Sequence, residues 1–533
     1  MMINGWDSVR PSRADYPFPQ IPRMERTVPA VWRRALRWGA DRPFVSFDGG
    51  DYLSYGEVDA RARYWSAVLR SRGLGAGSRV AVMLPNTATH LAIFLGALRA
   101  SIVVVPVNLA FRGEMLRHIL VDSAATVFVT TTELADRIAG WTLPDLAEVV
   151  LVDGASVTVG AVMPQAVPEP GPDDVAAVLY TSGTTGPTKG ALVSHQYFVY
   201  FSWGFAHAHD DTADDVLFTV LPMFHVNPYV CTLVPAMMTG ARAVVHRQFS
   251  ASRFWDQIAD SGATHFVGMG SMGNILMKRP HSEYRPDHQL RMCQVVPAPD
   301  DLREFEERFR VPVVYAMYGM TEGLMVMPSR DGTHRPGLIG RAHPYHEVAV
   351  VDDDDLPVPL GVAGELVVRP LLPGLMFAGY LGRPDATVAA FRNLWFHTGD
   401  LGMRDADGDL WFLGRKKDAI RRRGENVSAF EVEREALRFP ALAEAAAVGV
   451  AAELGEEEVL LCVVPRPGET VDPAALHAHC AAGLPAFMVP RYIDVRDELP
   501  KNQSQRVLKR DLRADGLRPG VWEAPAVTAR SSR

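Results

Sequence analysis

The chain of 533 residues is too long for one ordinary hydrophobic core. With 48% hydrophobic and 22% charged residues it has the make-up of a folded globular protein rather than a disordered or fibrous one. Its formal charge of -8, with no Lys/Arg run longer than three residues, excludes a general nucleic-acid binder, which needs a basic surface to displace counterions.

The N-terminus lacks the apolar core of a signal peptide. The greasiest stretch, 90–107, is broken by Arg99 and Pro106 before it could span a bilayer, so no integral membrane contact is expected. Four widely spaced cysteines, Cys231, Cys293, Cys462 and Cys480, match neither a zinc pattern nor a disulfide framework, which points to a reducing cytoplasm.

From the N-terminal side, 54–74 spaces Val58, Ala62, Trp65 and Leu69 along one helix face and closes at Gly73. Short β-rich runs follow at 79–84, 101–107, 125–131 and 147–154, the alternation expected of layered α/β sheets. Next, 178–195 reads VLYTSGTTGPTKGALVSH: an apolar strand, a loop with Gly183, Gly186 and Gly190 among five Ser/Thr residues and Lys189, then a helix-compatible run. Such a loop can cradle phosphates. Glycines let N–H groups converge on an anion, hydroxyls donate further hydrogen bonds and the lysine adds charge, in a spacing that is not that of a Walker loop. The segment HAHDD, 207–211, contains metal-ligand types but reads as an exposed helix end, and Cys231 and Cys293 have no base nearby in sequence to make them nucleophiles.

After residue 340 the texture changes to strands at 346–353 and 364–370 and a hairpin through 394–414 that turns at 405–408. A smaller unit follows, with a helix at 428–439 capped by Ser428 with Glu431 three residues on, and strands at 446–452 and 458–467. The expected organisation is a large domain over 1–413, a hinge at 414–418, a small mobile α+β domain over 419–522 and an unstructured tail over 523–533.

The phosphate loop, together with PMFHVN (222–227), YGMTEG (318–323), WFHTGDL (395–401) and GRKKDAIRRRGENVS (414–428), resembles the adenylate-forming superfamily of acyl- and aryl-CoA ligases, luciferases and adenylation domains. Order and spacing agree along almost the whole chain. The resemblance implies a large domain of layered α/β sheets with a small β-barrel-like subdomain, and a C-terminal domain that rotates between two half-reactions.

It also implies roles for single residues. Thr181, Ser182, Gly183, Thr184, Thr185, Gly186 and Lys189 would hold the β- and γ-phosphates of ATP. Tyr318 would stack on adenine beside Gly319 and Met320, Thr321 would bond the α-phosphate and Glu322 would help hold Mg2+. Asp400 would bind the ribose hydroxyls, Arg415 would contact ribose or phosphate, Lys417 would be the hinge and Gly424 would line the thiol tunnel. His225, Met269, Gly270 and Met320 would border the acid pocket. The methionines at 269, 272, 317, 320 and 325, with no evident cation for a second carboxylate, suggest a small apolar or aromatic acid. The segment 295–301, VVPAPDD, departs from the family's glycine-rich form at the adenine site.

A second departure concerns catalysis. The family's segment near the C-terminus usually presents a Gly-Lys whose lysine bridges the carboxylate and the α-phosphate. Here LPKNQSQRVLK, 499–509, has Gln505 and Arg506 at those positions, with Lys501 and Lys509 as other sources of an ammonium group. The reading is an ATP- and Mg2+-dependent ligase that forms an acyl-adenylate and passes the acyl group to a thiol such as CoA. The alternatives are a non-CoA acceptor (an amine or a carrier protein), an unusual acid such as nitrite activated toward an aryl amine, and a non-catalytic nucleotide-binding protein, against which the intact loop and Glu322 count.

Overall fold

The computed structural model describes residues 21–152, 168–181, 188–296, 301–314, 317–327, 335, 337–416, 419–422, 425–451, 457–484, 486, 488–501 and 507–525. These fall into two compact units. One holds the chain up to Val348 together with Val368–Trp395; the other holds Ala349–Val367 together with the chain from Phe396 onward.

In the first unit one sheet has the strand order Glu148–Leu151, Val127–Thr130, Arg79–Met83, Val103–Pro106, Val175–Thr181, Lys189–Ser194. Its pairings are parallel except the last, where Val175–Thr181 and Lys189–Ser194 form an antiparallel hairpin. The near-continuous apolar runs seen in sequence are strands buried on both faces, as Val80 to Met83, Val103 to Val105 and Val127 to Val129 are. A second sheet runs Val313–Val314, Met292–Val296, His265–Met269, Val216–Thr219, Arg242–Val245, Pro43–Phe47, Leu53–Ser54, parallel up to its last pairing. Phe218, Phe254, Trp255, Phe266, Phe305 and Phe309 pack its core.

The hairpin overturns one expectation. The residues after the phosphate loop continue as a strand, and the helix is delayed to His195–Ala208. Ala191 and Val193 are fully buried, and Ser194 accepts a hydrogen bond from Tyr197 N (3.2 Å) as the N-cap. The segment expected to hold phosphate therefore joins two antiparallel strands rather than a strand and a helix.

The helix Tyr55–Arg70 begins with a full capping box: Ser54 Oγ accepts from Glu57 N, and Glu57 accepts from Ser54 N. Gly73, at φ 81°, follows its end. This helix lies against Ala88–Arg99, where Gly96 sets the approach. A Cβ there would lie 2.5 Å from the Ala62 carbonyl oxygen and 2.8 Å from Ser66 N.

In the second unit Phe396–Arg404 and Leu410–Arg415 pair antiparallel around the turn expected at 405–408. Asp405 organises that turn by accepting from the backbone N–H groups of Asp407 and Asp409 and from Trp411 Nε1. Beyond it, Leu442–Ala451, Glu457–Pro465, Tyr492–Val495 and Trp522–Glu523 form a sheet covered by Ala429–Leu437 and Pro473–Gly483 around Val432, Leu461, Leu476 and Ile493. The C-terminal tail thus starts later than expected, because Glu523 pairs with Tyr492 and Arg491 bonds its carboxylate; 526–533 lie outside the described residues. No helix among the described residues is long and apolar enough to cross a membrane.

Gly96→Ala should destabilise the protein by about 1–3 kcal/mol through overpacking between the two helices. Thermal unfolding reads this as a lowered Tm, and an unchanged Tm would contradict the close approach.

Candidate active site

Most of the site residues expected in the first unit lie at or just past the carboxyl ends of parallel strands, where open α/β sheets bind ligands. Thr181 ends one strand, His225 follows Val216–Thr219, Met269 ends His265–Met269, and Tyr318 follows Val313–Val314. Thr181 and Lys189 face each other across the hairpin and bracket the loop. Ser182, Gly183, Thr184, Thr185 and Gly186 lie outside the described residues, as do Lys417, Gly424 and Arg506.

Tyr318–Met320 turns back on Gly323–Met327, and Glu322, in the turn, is buried. Glu322 Oε1 accepts a hydrogen bond from the Tyr380 hydroxyl at 2.8 Å, and Lys189 Nζ stands 5.0 Å from the centre of the same ring. Sequence reasoning missed Tyr380. The glycines flanking it in AGYLG were the only signal, and they do not name a partner. Tyr197, also missed, is buried on the first turns of its helix and donates its hydroxyl to the Thr321 carbonyl at 3.0 Å, which fixes the backbone of the expected α-phosphate residue.

Around the expected acid pocket, His225 is exposed at the surface, yet the protein packed around its ring desolvates the imidazole and holds it below the usual value. Phe224 lies against it at 4.5 Å. Met269 is half exposed, Gly270 opens the helix Gly270–Met277, and Met320 is partly buried. Just beyond His225 the chain passes through a π-helical turn, Tyr229–Leu233. Gln294 links Met317 to the interior: its amide donates to Met317 Sδ (3.1 Å), and its carbonyl oxygen lies 2.8 Å from His209 Nε2.

The 207–211 segment is not an exposed helix end. His209 and the Asp211 side chain are buried, and Asp211 Oδ1 lies 2.8 Å from His265 Nδ1. Asp211, Asp215 and His265 bring one potential ligand atom each within 4.8 Å of one another. Arg291 occupies the same place, with Nη2 2.8 Å from Asp215 Oδ1 and 3.2 Å from His265 Nε2. Arg291 Nη2 is within hydrogen-bond reach of Nε2, while His265 Nδ1 and Asp211 Oδ1 sit at ion-pair distance without an aligned hydrogen bond. The guanidinium of Arg291 in this cluster opposes a cation there.

In the second unit Asp400 and Arg415 are direct partners across the hairpin. Asp400 is almost fully buried, and its Oδ1 lies 2.8 Å from Arg415 Nε. Beneath them Glu365 accepts from Gly399 N (3.1 Å) and from Lys416 Nζ (2.8 Å), and lies 3.3 Å from His397 Nδ1. Burial works to raise the pKa of Glu365, yet the bond from Lys416 and the contact with His397 bring it below the ordinary carboxylate value. Lys501 and Lys509 are committed to ion pairs with Glu444 (2.7 Å) and Glu433 (2.6 Å). All four cysteines are buried, with thiol pKa values raised by desolvation, to about 12 at Cys462 and Cys480, which suits packing rather than nucleophilic chemistry.

The AMP-binding enzyme family profile matches residues 31–381, and the profile of the AMP-binding enzyme C-terminal domain matches 431–506. The chain belongs to the AMP-binding enzyme family. It is 34% identical to the sulfoacetate–CoA ligase of Cupriavidus necator over 89% of this chain and 94% of that one. It is 30% identical to the oxalate–CoA ligase of Arabidopsis thaliana over 88% and 95%. The solved structure of ATP-bound MatB from Rhodopseudomonas palustris superposes with a TM-score of 0.82 at 28% identity, covering 91% of this chain and 98% of that one. This AMP-binding enzyme is accordingly an ATP-dependent, AMP-forming, acid-activating ligase with a large N-terminal and a small C-terminal domain.

His90, His195, His209 and His346 are all buried, and desolvation pushes each imidazole down to about 4. The unfolded chain protonates these groups near 6.5, whereas the folded chain does not until about 4. The unfolded state therefore binds more protons in that window, and stability falls as pH drops from 6.5 to 4, by about 3 kcal/mol per histidine. Above 6.5 these groups add no pH dependence. Urea unfolding at pH 7.5 and 5 should show a clear drop in midpoint, and equal midpoints would contradict the neutral buried histidines.

Proposed function

We propose that the protein joins a small apolar or aromatic carboxylic acid to CoA through an acyl-adenylate. The observation that carries this reading is that Lys189 and buried Glu322 both contact Tyr380, one at the ring face and one at the hydroxyl, and that no ion pair joins them among the described residues, so that opposite charges stay available beside the expected phosphate loop. Lys189, Thr181 and the loop residues 182–186 would hold the β- and γ-phosphates, and Thr321, with its carbonyl fixed by Tyr197, would bond the α-phosphate. Glu322 also suits Mg2+. One carboxylate oxygen is held by the Tyr380 hydroxyl and the other has no protein partner among the described residues, which matches a hard cation that takes one carboxylate plus phosphate oxygens. When bound, the ion would neutralise charge on the phosphates.

In the first half-reaction a carboxylate oxygen of the acid attacks the α-phosphorus, and pyrophosphate leaves with its bonding pair. Arg506 would place its charge between the carboxylate and the α-phosphate. The commitment of Lys501 and Lys509 to Glu444 and Glu433 favours Arg506 over either lysine for this task. Asp400 would hold the ribose while paired to Arg415. In the second half-reaction the thiol sulfur attacks the acyl carbon and AMP leaves. Rotation about Lys417 would bring Gly424 to the thiol path.

The acid class rests on the segments expected to line the acid pocket. No Lys or Arg occurs within 222–233, 265–277 or 317–327, whereas Met269, Met272, Met317 and Met320 do. A second reading, a small acid that carries a further anionic group, is favoured by the relatives named for sulfoacetate and oxalate.

A panel of acids with ATP, Mg2+ and CoA, scored for pyrophosphate and thioester, separates the two readings. Benzoate-like and short aliphatic acids should exceed oxalate and sulfoacetate; the reverse order establishes the second reading. Nitrite-dependent, CoA-independent turnover with an aryl amine would sink both. In the same assay Arg506→Lys should retain or improve adenylation of an ordinary carboxylate. A loss of about 10²–10³ would mean that arginine is matched to a different acid or acceptor.

A further inference from the structure

Tyr380 lies between the two charges of the phosphate site and belongs to neither. Its backbone is fixed before its side chain acts: Ala378 N donates to the Leu192 carbonyl (2.7 Å), Leu381 N to the Gly190 carbonyl (2.8 Å) and Tyr380 N to Thr387 Oγ1 (2.9 Å). Phe377 N also donates to the Glu322 carbonyl (2.8 Å), so the same segment holds the backbone of Glu322 and the strand of Lys189. The ring packs against Phe377 at 4.8 Å and is partly buried.

From this position the phenol makes two different contacts. Its hydroxyl donates to Glu322 Oε1 at 2.8 Å, and its ring face lies under Lys189 Nζ at 5.0 Å. A bare ammonium and a bare carboxylate that both contact one partly buried ring would, without it, pair directly, and each would then be spent before a polyphosphate arrived.

We propose that Tyr380 is a positioning residue that keeps Lys189 and Glu322 apart and unneutralised, aiming one at phosphate and the other at the divalent cation of the nucleotide. The inference rests on the reading of Lys189 and Glu322 given above and adds the residue that makes both available. Two losses follow from it. Without the hydroxyl, Glu322 turns freely and the advantage of metal-bound over metal-free ATP shrinks. Without the ring as well, Lys189 falls onto Glu322 and metal-free ATP binding weakens too.

The test uses the full-length chain and calorimetric titration with ATP in Mg2+ and with ATP in chelator, alongside thermal unfolding. Tyr380→Phe should lose roughly tenfold of the Mg2+-dependent gain in affinity, the worth of one hydrogen bond to a charged group, with metal-free affinity and Tm unchanged. Tyr380→Leu should lose metal-free affinity in addition. Tyr380→Phe with wild-type affinity in both conditions overturns the inference, and so does an equal loss in both conditions accompanied by a lower Tm. Wild-type protein that binds ATP no better with Mg2+ than without it overturns the reading of Glu322, a result distinct from any change confined to Tyr380→Phe.

Discussion

The candidate site hangs from one strand, Lys189–Ser194, that is paired on both edges. On one side it forms the hairpin with Val175–Thr181; on the other, Leu192 N donates to the Gly379 carbonyl and Ala378 N donates back to the Leu192 carbonyl. Without the second pairing the strand would be a sheet edge with open N–H and C=O groups. With it, the root of the phosphate loop, Tyr380 and the backbone of Glu322 share one frame. Gly190 makes the frame tight. A Cβ there would lie 2.6 Å from Val178 Cγ1, so of the three glycines in the loop segment this one serves packing in the strand rather than the anion.

Charge is treated in two ways in this protein. In the Asp211–His265–Arg291–Asp215 cluster the carboxylates stand directly against an imidazole and a guanidinium, so opposite charges are in contact inside the fold. At Lys189 and Glu322 the opposite holds, and a neutral phenol stands where an ion pair could have formed. Saturated clusters resist further ligands; unsaturated ones invite them. Lys501 and Lys509 belong with the matched charges, each committed to a glutamate.

Asp400, the residue expected at the ribose, is held by a similar chain of connections. Asp400 is held by Arg415 across a two-strand ladder, and Gly399, its neighbour, by the buried Glu365 that also anchors Lys416. A carboxylate that is to accept two hydroxyls must not wander, and here the backbone beside it is tied to a carboxylate that is itself tied to a lysine next to the expected hinge.

By itself the sequence determined the reaction class, because its contiguous motifs carry their chemistry within a few residues: the Thr/Ser/Gly loop, YGMTEG, TGDL and the GR segment. It also determined elements whose signals are local, such as the Ser54–Glu57 box and the turn built on Asp405. It misled where a local pattern had two solutions. The run after the loop suited a helix until pairing made it a strand, and HAHDD suited a solvated helix end until Arg291 and His265, from elsewhere in the chain, enclosed it. Tertiary structure alone decided that Tyr380 stands between Lys189 and Glu322, because that contact joins residues 58 positions apart and exists only after two strands and a turn have packed together. Such juxtapositions leave no periodicity or spacing to read; they are set by backbone hydrogen bonds between segments that are unrelated along the chain.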